Sequence, residues 1–154
     1  MTILIRPARE EEFDRIAQIW AEGWLSPLDG RDASPPVDLF ETLRARIPRE
    51  LAAGWELSVT VKVERIVGMM ALFVADQHLN QIFVAEASRS EGIGRQLLAH
   101  AKTRMPERFW LRTHSLNTRA QRFYKREGMR HVRDEPHPRH PEELFCLFEW
   151  SPSL

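Results

Sequence analysis

The sequence holds a single cysteine and a single tyrosine, and its formal net charge is zero, with 22 basic residues against 22 acidic ones. Each scarcity removes a class of function. With Cys146 as the lone thiol, no intrachain disulfide can form. Its neighbours Leu144-Phe145-Cys146-Leu147-Phe148 read as a buried strand, where a cysteine acts as a small inert hydrophobe. Balanced charge gives no bulk attraction to nucleic acid or to an anionic membrane. No apolar run approaches the roughly 18 to 20 residues that cross a bilayer. The opening Met1-Thr2-Ile3-Leu4-Ile5-Arg6-Pro7 turns acidic by Glu10-Glu11-Glu12, and it lacks the features of a secretory signal. The expectation is a cytoplasmic protein without nucleic-acid or membrane partners. Lysine occurs only at Lys62, Lys102 and Lys125; the arginine surplus reads as genome composition, since both residues serve surface solubility. Two phosphate-binding folds are missing as well. No G-x-x-x-x-G-K-[ST] occurs, and Leu97 stands where a dinucleotide fingerprint needs its third glycine.

What is present suits one domain over residues 1–154, since 43% apolar content in 154 residues supports one core. Thr2 to Arg6 reads as a strand stopped by Pro7. Phe13, Ile16, Ala17, Trp20 and Trp24 form one face of a helix over 10–24. Pro27, Gly30, Pro35 and Pro36 mark a loop, and a second helix covers Asp38 to Ala53, with Asp38 as N-cap and Gly54 as stop. Strands follow over 55–63, 66–75 and 78–84, the first two joined by a turn at Glu64-Arg65. A helix from Gly92 to Arg104 buries Ile93, Leu97, Leu98, Ala101 and Met105 and ends at Pro106. A strand over 109–113, a helix over 117–127 closed by Gly128, and strands over 129–133 and 144–150 complete the order. That is α/β: a mixed central sheet of about six to seven strands, antiparallel early and with crossover helices later, flanked by about four helices.

The richest segment runs from Ile82 to Leu98. An apolar strand enters a turn with Gly92 and Gly94, and an amphipathic helix follows at once. A helix start exposes unpaired N–H groups with partial positive charge, which suit a pyrophosphate. Glycines let a ligand approach the backbone, and Arg89 and Arg95 add charge on either side. The bland reading is an ordinary helix start with glycines for tight packing. The string Arg89-Ser90-Glu91-Gly92-Ile93-Gly94, however, resembles the acetyl-CoA signature R/Q-x-x-G-x-G/A of the GNAT acetyltransferase superfamily. Asn117-Thr118-Arg119-Ala120-Gln121-Arg122-Phe123-Tyr124-Lys125-Arg126-Glu127-Gly128-Met129 resembles that family's second motif, N-x-x-A-x-x-F-Y-x-x-x-G-F, with Met129 in the last aromatic place.

The resemblance implies a GNAT-like fold with a splayed strand pair holding acetyl-CoA as acyl donor. Phe83, Val84 and residues Arg89, Ser90, Glu91, Gly92, Ile93, Gly94 and Arg95 would hold the cofactor together with Asn117 and Tyr124. Asn117 would contact the pantetheine arm. Tyr124, seven residues and so two turns away on the same side, would protonate the departing thiolate. Backbone N–H groups near Val84 would polarise the thioester carbonyl. Transfer goes by direct attack, because Cys146 sits in a core strand away from both motifs. A homodimer is a family expectation.

The base is left open. His78-Leu79-Asn80-Gln81 lacks the carboxylate the family often carries before the glycine turn. His78 is named as the base for its intrinsic pKa; His114, Glu22, Asp29 and a water chain are the alternatives. Trp24, Leu25, Pro27, Leu28 and Asp29 fall where the family shapes its acceptor pocket, and with Glu22 and Asp32 they suit a cationic amine with some apolar bulk. A small-molecule amine is therefore the expected acceptor. A peptide or protein amine and a non-catalytic acyl-CoA-sensing module are the rivals. His137-Pro138-Arg139-His140 beside Glu142 and Glu143 reads as a solvated hairpin connection, so no metal is expected. The basic run Arg119, Arg122, Lys125, Arg126, Arg130 and Arg133 reads as a solvated face that also meets cofactor phosphates.

Overall fold

A computed structural model describes residues 2–25, 37–138 and 141–153. The sheet has seven strands in the order β1-β2-β3-β4-β5-β7-β6. They are β1 (Ile3–Pro7), β2 (Glu56–Lys62), β3 (Arg65–Phe73), β4 (His78–Val84), β5 (Phe109–His114), β6 (Arg130–Pro136) and β7 (Leu144–Trp150). Only β4 and β5 pair in parallel. The helices are α1 (Phe13–Leu25), α2 (Leu39–Ala52), α3 (Ile93–Arg104) and α4 (Thr118–Arg126). Among the described residues no helix is long and apolar enough to cross a membrane.

Strand β3 reads as a near-continuous apolar run because both of its faces are covered. Met70 and Leu72 join Leu97, Leu98 and Phe109 in one cluster, the side of α3 and α4. Met69 and Ala71 join Ile16, Trp20 and Leu43 in the other, the side of α1 and α2. Val67 breaks this alternation by packing with Met70. The register explains it: Thr60 faces Gly68 and Val61 faces Ile66, so Val67 is the extra residue of a bulge.

The helices follow their apolar stripes with two differences. Phe13, Ile16, Ala17 and Trp20 are buried as the periodicity requires, but Trp24 is 39% exposed and Gly23 is buried in its place. A Cβ on Gly23 would meet the Phe83 ring at 2.0 Å, so the absent side chain is what lets α1 close on β4. Asp38 occupies the N-cap position of α2 without making the expected side-chain bond. Gly54 stops that helix at φ 117°. Pro48 lies inside α2, which continues past it.

Candidate active site

The sheet opens between β4 and β5. The two strands are in register only at His78 and Trp110, where the Trp110 N–H also donates to the Gln77 carbonyl at 2.9 Å. Beyond that point β5 turns its hydrogen bonds to β7 along its whole length, from Phe109 opposite Trp150 to His114 opposite Phe145. The closed end is pinned by side chains: the His78 ring lies flat on Trp110 at 3.7 Å, and Trp110 Nε1 donates to the Asp76 carbonyl at 3.1 Å. The expected splayed pair is therefore present. It is a wedge, narrow at His78 and open toward Val84.

A bulge sits within the wedge. Ala71 faces Gln81 and Leu72 faces Leu79, leaving Asn80 as the extra residue of β4. A bulge residue loses its ladder partner and bends the strand. The Asn80 side chain is held in place, its Oδ1 accepting from Trp55 Nε1 at 3.1 Å and from Gln81 Nε2 at 3.3 Å. Nothing in the hydrophobic pattern of 78–84 marks the bulge; the paired polar residues Asn80-Gln81 in an apolar strand are its only trace in sequence.

At the open end the glycine turn has the form of an anion cradle. Ser90 and Gly92 are left-handed, at φ 68° and 82°. Gly92 is the N-cap of α3, no side chain caps the helix, and its first turn carries no acid. The bond from Gln96 N–H to the Gly92 carbonyl begins the helical ladder, so the N–H groups of Ile93, Gly94 and Arg95 have no intrahelical acceptor. Gly94 has a packing role as well. A Cβ there would meet the Phe123 ring at 3.0 Å, so this glycine also lets α4 come close.

Several side chains expected at the cofactor are engaged elsewhere. Phe83 packs against Gly23, Ile93 is buried in the core, and Glu91 is ion-paired with Lys62. Arg95 pairs with Glu127 at 3.1 Å and ties α3 to α4. Those residues offer backbone to the turn. Arg89 remains, with Nε reaching the Val84 carbonyl at 3.4 Å. Its charge acts on Arg119 of α4, whose guanidinium is held below its usual range first by burial and then by Arg89, against an opposing effect of Glu86. Arg119 belongs to the basic run that the sequence expects to meet cofactor phosphates, although the motif itself does not single it out.

Helix α4 brings Asn117 and Tyr124 together with this end of the sheet. Asn117 Oδ1 accepts from the Ala120 N–H at 3.1 Å, capping the helix. Gly128 at φ 90° closes it, and Met129 N–H returns to the Tyr124 carbonyl at 3.0 Å. Tyr124 is 7% exposed, packed on Phe148 at 5.6 Å and Phe123 at 5.4 Å, in the cluster that contains Leu79 of β4 and Leu111 of β5. Burial pushes its phenol above the ordinary tyrosine value. No described residue bonds its hydroxyl, yet Thr60 Oγ1 is the sole fully enclosed side-chain polar atom without a partner among the described residues. The phenol oxygen is therefore not fully enclosed, and it lacks the partner a purely structural tyrosine would take.

The base candidates separate on their contacts. His78 is half-buried at the closed end, and desolvation, then the Arg112 charge, lowers it to about 4 against a smaller opposing effect of Asp76. His114 uses both ring nitrogens: Nδ1 accepts from Leu116 N–H at 3.1 Å, which leaves Nε2–H for the Glu143 carboxylate at 3.1 Å. Glu22 accepts from the Glu86 N–H just past β4. Leu28 and Asp29, with Pro27 and Asp32, lie outside the described residues, so of the expected acceptor side chains only Glu22, Trp24 and Leu25 are placed. Cys146 lies in its expected strand but not far from the second motif: it shares a core cluster with Tyr124.

A model of the acetyltransferase (GNAT) family matches residues 13–129. Peptidyl-lysine N-acetyltransferase YjaB of Escherichia coli strain K12 is 30% identical over 130 residues, covering 84% of each chain. The solution structure of apo-form YjaB from E. coli superposes with a TM-score of 0.80 at 26% identity, over 97% of this chain and 98% of that one. The PaiA N-acetyltransferase of Thermoplasma acidophilum, solved in complex with coenzyme A, shares the fold at a TM-score of 0.76 and 17% identity, over 98% and 99% of the two chains. With the opened β4–β5 pair and the uncapped glycine turn, these matches establish that the chain belongs to the GNAT acetyltransferase family.

Proposed function

We propose that the protein moves the acetyl group of acetyl-CoA to the ε-amino group of a lysine in a polypeptide, with Tyr124 as general acid. The observation that carries this reading is the wedge between β4 and β5, with an unbonded phenol in the helix that follows it. When bound, acetyl-CoA supplies an activated acyl carbon and a thiolate leaving group. The residues present fit such a donor. The free N–H groups of Ile93, Gly94 and Arg95 would meet its pyrophosphate, with Arg89 and Arg119 alongside. Asn117 has spent Oδ1 on the helix and keeps its Nδ2–H groups for an amide carbonyl of the arm. Backbone N–H groups of β4 toward Val84, on the edge that β5 leaves open, would polarise the acyl carbonyl.

Tyr124 holds its proton throughout the neutral range because burial disfavours the phenolate. The same burial disfavours a thiolate leaving into that site, so the proton still has somewhere to go. Cys146 takes no part as a nucleophile. Burial and the hydrogen bond with Asp134 push its thiol up to about 11, which leaves almost no thiolate at neutral pH. Proton removal from the amine is assigned to water rather than to either histidine, with Glu22 held by the Glu86 N–H. A ring at about 4, stacked on Trp110, is a poor acceptor, and His114 has no free lone pair.

The acceptor is a primary alkylamine in either version of this reading. The sequence alone favoured a small molecule; the relatives, named as peptidyl-lysine acetyltransferases, support a polypeptide. The experiment is a panel of lysine peptides and small amines incubated with acetyl-CoA, followed by free-thiol release. Peptide turnover well above that of every small amine is expected. The reverse ranking replaces the acceptor, and no thiol release with any amine leaves a binding module.

A further inference from the structure

The two outer strands on the β5 side carry a second group of reactive side chains. In the β6–β7 pair His131 faces Phe148 and Arg133 faces Leu147, so Val132 is an extra residue. In a regular strand residues three apart point to opposite faces; the bulge turns His131 and Asp134 onto one face. Asp134 lies directly opposite Cys146. The donor atoms of His131, Asp134 and Cys146 all lie within 4.8 Å of one another. His131 Nε2 is 2.7 Å from Asp134 Oδ1, and the imidazole stacks on Phe148 at 5.2 Å.

We propose that His131, Asp134 and Cys146 bind one divalent transition-metal ion of the zinc class, with water completing the shell. An imidazole nitrogen, a carboxylate oxygen and a thiolate form a donor set that suits zinc over magnesium or calcium. Donors at about 2.0–2.3 Å from a tetrahedral ion stand roughly 3.3–3.6 Å apart. The His131–Asp134 contact therefore opens slightly, and the thiol turns inward. The site also has a way in. Cys146 is 3% exposed and forms the floor, while the His131 and Asp134 side chains reach solvent. The proton balance is simple: the ion displaces the Cys146 proton to water, Asp134 binds as carboxylate, and His131 offers the Nε2 lone pair with its proton on Nδ1. Such a site is separate from the glycine turn, and it meets the candidate active site in the core cluster that Cys146 and Phe148 share with Tyr124.

The test uses cobalt(II) titrated into the untagged full chain. Cys146 is the single cysteine, so a thiolate-to-cobalt charge-transfer band can arise from no other residue. The expected result is a band that saturates at one ion per chain and is bleached by added zinc. It should be absent in C146S and weakened about tenfold or more in H131Q and D134N. Those last two side chains are exposed, so their loss of binding does not reflect unfolding. No band under excess cobalt overturns the proposal, and so does a band undiminished in both H131Q and D134N.

Discussion

Arg119 in the first turn of α4 feels the charge of Arg89 of the glycine turn more than that of Glu86, and among the described residues no carboxylate lies within ion-pair distance of either arginine. Like charges that Glu86 offsets only in part destabilise the empty protein and favour a bound polyanion. Arg119→Gln should therefore leave the free protein's melting temperature unchanged or raise it. The same change should raise the KM for acetyl-CoA about tenfold, the loss of one charge-assisted contact of roughly 1.4 kcal/mol. A substitution that lowers stability and spares KM would show that Arg119 is structural.

Gly23 and Phe83 give a prediction about packing. A methyl group on Gly23 would overlap the Phe83 ring, which is wedged between α1 and the rest of its cluster. Gly23→Ala raises helix propensity by about 1 kcal/mol but should destabilise the fold by about 1–3 kcal/mol net, because overpacking dominates. Chemical denaturation measures it. A stabilised variant would mean that α1 does not rest on β4 as described.

His78 sets an acid limit on stability. Its folded value is about 4, against 6.5 for an unperturbed ring. Between those values the unfolded chain takes up a proton that the folded chain refuses, so stability falls as pH drops from 6.5 toward 4. Above that window the ring contributes nothing. His78→Phe removes the penalty while keeping an aromatic on Trp110, and its unfolding free energy should decline less over the window, by on the order of 1–2 kcal/mol after allowance for the ring's partial exposure. Parallel declines for the two proteins would place His78 in water.

The proposed use of water rather than a histidine as base has a kinetic signature. With water as proton acceptor, kcat/KM should follow the free-amine fraction and rise about tenfold per pH unit up to pH 9, since an alkylamine titrates near 10.4. A plateau above pH 7 that disappears in H114Q would identify His114 as the base.

The legible parts of the fold were those with strong local patterns. β4 and β7 have the bounds their apolar runs imply, and Asn117 and Gly128 bracket α4 as cap and stop. The rest depended on contacts between distant segments. The bulges at Val67, Asn80 and Val132 exist only relative to a partner strand, so single-strand periodicity cannot show them. β6 extends to Pro136, well past the expected Arg133, because an exposed edge strand shows little alternation. At the site the motif spacing located the turn and the tyrosine. It could not reveal that Gly94 also makes room for Phe123, that Arg95 is taken by Glu127, or that the Arg89 charge acts on Arg119.

The most direct measurement is turnover of Tyr124→Phe under saturating acetyl-CoA and acceptor. The change removes one hydroxyl that bonds to no described residue, so the fold and the aromatic packing on Phe148 should persist. Loss of a positioned general acid is expected to lower kcat by about 10²–10⁴-fold with little change in KM for acetyl-CoA. A kcat equal to that of the unaltered enzyme would contradict the assignment of Tyr124 as the acid.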